Sequence, residues 1–128
     1  MARQVLVLVL AAILTAGAGI LGVTEALGAH PFWSVKVTLM GAVLGAAIGV
    51  GMAGLGMRLG TTVWLSAVIL LAAAAAAHWG KTRFAASYAE DMVAGRLWYF
   101  GWIATLAAVC VLAQVLLGLA IGRRNKAL

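Results

Sequence analysis

The stretch Gly41–Gly60, GAVLGAAIGVGMAGLGMRLG, restricts the possible folds more than any other part of the chain, because it holds seven of the sixteen glycines. Gly41, Gly45 and Gly49 recur at four-residue spacing. In water such a run makes a poor helix, since each glycine costs about 1 kcal/mol relative to alanine. In lipid the same spacing forms a smooth groove that a second helix backbone can approach closely. The stretch therefore predicts a membrane protein built around one tightly packed helix.

Composition supports that choice. Of 128 residues, 66% are apolar and 9% charged, whereas a soluble domain holds roughly 45–50% apolar and about 25% charged residues. A core of this size cannot hide the excess, so lipid must solvate it. The net charge of +6 comes from basic residues at segment ends rather than in one patch, which points to membrane topology and away from nucleic acid. The single cysteine, Cys110, allows no intrachain disulfide, and the sequence has no Cys/His spacing for zinc.

The apolar runs predict an all-α, integral membrane four-helix bundle of antiparallel hairpins, a single domain over 1–128 with spans at about 5–27, 35–57, 61–79 and 98–122. At 1.5 Å per residue the first span is roughly 34 Å long, enough to cross a ~30 Å hydrocarbon core. That length argues against a cleaved signal peptide. The short turn Arg58–Gly60 predicts that helices two and three are antiparallel neighbours, with the alanines Ala72–Ala77 filling the glycine groove. Phe84, Tyr88 and Met92 share a four-residue spacing, which predicts a short outer interfacial helix within 80–97.

Four spans bring both termini to one side of the membrane. Arg3, Arg58, Arg123, Arg124 and Lys126 share that side without an acidic residue, whereas Lys36, Lys81, Arg83 and Arg96 face Glu25, Glu90 and Asp91 on the other. The positive-inside rule then predicts both termini in the cytoplasm, in a bacterial inner membrane. Trp33, Trp79, Trp98 and Trp102 gather at the outer interface, where aromatic belts form.

No ionisable residue falls near the middle of any span, where proton- or ion-coupled transport needs one. No catalytic signature is present, so the sequence does not predict an enzyme. Glu25 falls at the outer end of the first span. His30 and His78 both fall at the outer edge and form a candidate cofactor-binding pair for haem or copper. The competing and favoured reading makes them interfacial side chains bonded to headgroups, water or a partner subunit. Gln114, Ser66 and Thr15 are the polar residues at depth, suited to an interhelical hydrogen bond. Met40, Met52 and Met57 read as core filler.

The function expected from this pattern is a small non-catalytic accessory or structural subunit of a larger inner-membrane complex, such as a respiratory, photosynthetic or transport assembly. Its partners are the lipid bilayer and other membrane subunits or a second copy. Gly41, Gly45 and Gly49 are expected to pack within the chain, leaving Gly51, Gly54 and Gly56 for a partner. Two alternatives come from other classes: a haem- or metal-binding redox module using His30 and His78, and a small oligomeric transporter or channel.

Overall fold

The computed structural model describes residues 1–127, with side chains described through Gly122. The described chain forms five helices, α1 (Ala2–Ile20), α2 (Val23–Ala26), α3 (Ser34–Gly54), α4 (Leu59–Ala86) and α5 (Met92–Ala127), with no strand among the described residues. α1, α3, α4 and the Met92–Gly122 part of α5 are each long and apolar enough to cross a membrane. The protein is accordingly an all-α integral membrane bundle of four spans. At one end of the bundle, here the terminal end, the Arg3 guanidinium donates to the Gly118 carbonyl at 3.3 Å. At the other, the loop end, lie α2, the turn before α3 and the turn between α4 and α5.

α5 is the hub. It is the most enclosed span, with 39% of its most apolar window buried against 28% for α3 and 17% for α1 and α4. α3 and α4 both pack along α5, α1 packs on α3 and α5, and no packed interface joins α3 to α4. The expectation that helices two and three are direct neighbours is therefore corrected. A short turn keeps their ends close, but it leaves both free to flank a third helix.

The occupant of the glycine groove changes with it. A Cβ built on Gly41 would stand 2.5 Å from the Leu106 Cβ and 3.1 Å from the Ile103 carbonyl oxygen. One on Gly45 would stand 2.5 Å from the Ala107 carbonyl oxygen and 2.6 Å from the Cys110 Cβ. The groove is filled from within the chain, as expected, but by α5 rather than by Ala72–Ala77. The alanine run also meets α5: Ala73 and Ala77 are buried, and a Cβ on Gly101 would come within 3.0 Å of the Ala77 Cα.

The helix boundaries differ from the sequence expectation for local reasons. The first span stops at Ile20 rather than near 27, because Gly22 takes a left-handed φ of 82° just beyond the last turn. α3 ends at Gly54 in a Schellman turn. The Met57 N–H donates to the Met52 carbonyl at 3.1 Å, and the Gly56 N–H to that of Ala53 at 3.0 Å. Gly56 supplies the left-handed φ of 67° that the turn requires.

The separate interfacial helix expected within 80–97 is not formed. α4 continues through Gly80 to Ala86, and α5 begins at Met92. Gly80 is a contact residue and not a helix stop, since a Cβ there would stand 2.5 Å from the Ala94 carbonyl oxygen. The Asp91 carboxylate caps α5 by accepting from the Ala94 N–H at 3.0 Å. Phe84, Tyr88 and Met92 therefore belong to the end of one span, a turn and the start of the next.

Candidate functional site

The interior of the bundle is held by small residues and hydroxyls. A Cβ on Gly19 would collide with the Thr38 side chain, so α1 and α3 approach closely at that level. The Thr38 hydroxyl lies 2.7 Å from the Ser34 carbonyl oxygen and 3.2 Å from the Thr24 hydroxyl. Thr15 donates to the Ala11 carbonyl of its own helix at 2.9 Å. Gln114 makes the interhelical bond: its Nε2 donates to the Gly45 carbonyl at 3.0 Å. The amide fits because Gly49, directly beneath it, has no side chain. The hydrogen bond expected among Gln114, Ser66 and Thr15 is thus replaced by one from Gln114 to the α3 backbone.

The loop end holds an aromatic cluster. Trp33 stands edge-on to Trp98 at 5.1 Å between ring centroids and to Tyr99 at 5.2 Å, and Phe84 lies 5.9 Å from Trp98. The Trp98 indole N–H donates to the Gly28 carbonyl at 3.1 Å, tying α5 to the turn after α2. Trp102 packs beside Trp33 and Tyr99 against Val37, Ile103 and Leu106. Trp79 is outside this group: its exposed ring lies under the Arg83 guanidinium at 5.5 Å. Three of the four tryptophans expected at this rim thus pack into one assembly, and the fourth sits on α4.

The two histidines line different recesses. His30 borders a shallow one of about 370 Å³ with Trp33, Phe84 and Trp98. Its Nδ1 accepts from the Phe32 N–H at 3.1 Å, which leaves Nε2 as the nitrogen free of that bond. His78 borders a cleft of about 420 Å³ between α1–α2 and α4, floored by α5. Trp98 lines both. Among the described residues no three His, Cys, Asp or Glu side chains converge to hold a metal ion. A third cleft, of about 480 Å³, opens at the terminal end among all four spans and is lined by Arg3, Thr62 and Gln114. The side chains of Arg123, Arg124 and Lys126, expected at that end, lie outside those described.

Gly51 and Gly54 are exposed, and a Cβ on either would meet nothing within 4 Å. Gly56 is also open, but its left-handed backbone already accounts for a glycine there. Sequence reasoning missed the second close seam, where Ala77 and Gly80 of α4 meet Ala94, Trp98 and Gly101 of α5. The signal was present: Ala73, Ala77 and Gly80 follow the four-and-three spacing of one helix face, and so do Ala94, Trp98 and Gly101. Ending the third span at 79 hid it. No family model matches the chain, and no curated protein or solved structure is similar to it.

Proposed function

We propose that this protein is a small accessory subunit of a larger membrane assembly and docks through the outward face of α3. One observation carries the reading: α3 has a second row of small residues with nothing packed on it. Ala47, Gly51 and Gly54 are all exposed. Six residues separate Gly45 from Gly51, about two-thirds of a turn's rotation at 3.6 residues per turn, so the open row faces away from the row that α5 fills, and its end at Gly54 borders the terminal cleft. Beside it Val43 is 72% exposed, and Val50, which also borders the terminal cleft, is 54% exposed. Small residues cost little side-chain entropy and let another backbone approach, which is how helices associate when lipid removes the hydrophobic drive between them.

The absence of an ionisable side chain from the middle of any span supports a structural role over coupled transport. That His30 and His78 line separate recesses favours it over a two-histidine haem or copper site. In the sequence, Arg3, Arg58, Arg123, Arg124 and Lys126 on the terminal side, five against Lys36, Lys81, Arg83 and Arg96 on the other, support cytoplasmic termini. Purification from native membranes in a mild detergent, with mass determination of the intact particle, tests the reading. The expected result is a defined particle containing at least one other protein chain. A stable particle containing this chain alone would overturn it.

A further inference from the structure

The cleft beside α4 is a built feature of the bundle. α4 packs on α5 and α1 packs on α5, but no packed interface joins α1 to α4. The space between them is floored by Trp102, Leu106 and Val109 of α5 and has a volume of about 420 Å³, within the range of small-molecule sites. Along α4 its lining runs from Leu70 to Lys81, eleven positions. That is about 16 Å of helix, close to half of a ~30 Å hydrocarbon core. The cleft thus has the depth of one leaflet, from the loop-end surface to the middle of the bilayer.

Its lining is apolar except at Thr105, whose hydroxyl donates to the Gly101 carbonyl of its own helix at 2.7 Å, and near the loop end. Lys81 and His78, three residues apart on one face of α4, border the cleft there, and no acidic residue lines it. The Lys81 Nζ lies at this mouth, 3.2 Å from the position a Cβ on Gly28 would take. Gly28 has a φ of 116°, and its carbonyl is engaged by Trp98. A cationic head above an apolar trough one leaflet deep complements a molecule with an anionic head and a single chain reaching downward.

We propose that this cleft binds an anionic phospholipid of the loop-end leaflet, one acyl chain lying between α1–α2 and α4 and its phosphate held by Lys81. The His78 ring supplies a further hydrogen-bonding group beside the phosphate. The site is independent of the α3 face proposed to dock a partner, so either proposal stands if the other fails.

Native mass spectrometry of the purified full-length chain, with any subunit that co-purifies, tests the site. Phosphatidylglycerol and phosphatidylcholine with the same acyl chains are titrated separately. The expected result is a one-lipid adduct with the anionic lipid, at about fivefold lower concentration than with the zwitterionic one, as suits one basic residue at a headgroup. Lys81→Gln should equalise the two lipids. Ala74→Leu, at an exposed position lining the trough, should suppress both adducts. Circular dichroism melts confirm that each variant is folded, and Lys81→Ala replaces any that is not. Equal binding of the two lipids by the native chain would overturn the proposal. So would unchanged adducts in folded Lys81 and Ala74 variants, or a tightly held quinone or pigment in place of the phospholipid.

Discussion

At the residue scale, space decides which glycines matter. Gly45 lies against the Ala107 carbonyl, a backbone group that cannot swing away. Gly45→Leu should therefore destabilise the bundle by about 1–3 kcal/mol or more, whereas Leu44→Ala, at a side chain 46% exposed, should cost less. Gly51→Ala adds a methyl group in open space and removes a helix-weakening glycine, so its melting temperature should not fall. Thermal melts of the three variants in one detergent check the ordering. Gln114→Leu should cost about 0.6–2 kcal/mol through loss of the bond to Gly45, the range for polar contacts between membrane helices. The glycine row and the depth of Gln114 were legible in the sequence, because spacing alone reports a close approach. The identity of the approaching helix was not, because a smooth groove accepts any flat partner and both α4 and α5 have flat faces.

At the element scale, α4 depends on a single neighbour. Among the described residues its only packed interface is with α5, along a seam where Gly80 meets backbone atoms of Ala94 and Trp98. Gly80→Leu should push α4 outward and expose Ser66, which is buried about two turns from the start of the helix. In a Cys110→Ala background, a cysteine introduced by Ser66→Cys should react faster with a membrane-permeant maleimide once Gly80→Leu is added. Equal rates would contradict the seam. The α4–α5 turn is strained, with Tyr88 at φ 55° and Ala89 at φ 65°. Left-handed backbone costs a non-glycine residue roughly 1–2 kcal/mol, so Ala89→Gly should raise the melting temperature. The spans themselves were readable from hydropathy. Their ends were misjudged at two glycines: Gly80, placed beyond the third span, serves contact inside α4, and Gly22, placed inside the first span, ends a helix within an apolar run that hydropathy reads as continuous.

At the scale of the whole molecule, three spans surround a fourth. α5 spends its small and apolar faces on its neighbours, while α3 and α4 keep broad apolar surfaces for lipid or protein: Trp64 is 65% and Leu71 72% exposed. The two rows of small residues on α3 divide the work, Gly41–Gly45–Gly49 closing the bundle and Ala47–Gly51 exposed on another face. The sequence made the Gly41–Gly45–Gly49 row visible and left Gly51, Gly54 and Gly56 for a partner, but the part that Ala47 plays beside Gly51 is visible only in the packed chain. The most direct measurement is photocrosslinking in native membranes, with a benzophenone side chain at Ala47 or Val43 and, for reference, at Trp64 on α4. An accessory subunit predicts one discrete heavier protein adduct from the α3 positions and none of that size from Trp64. Lipid adducts alone from every position would contradict it.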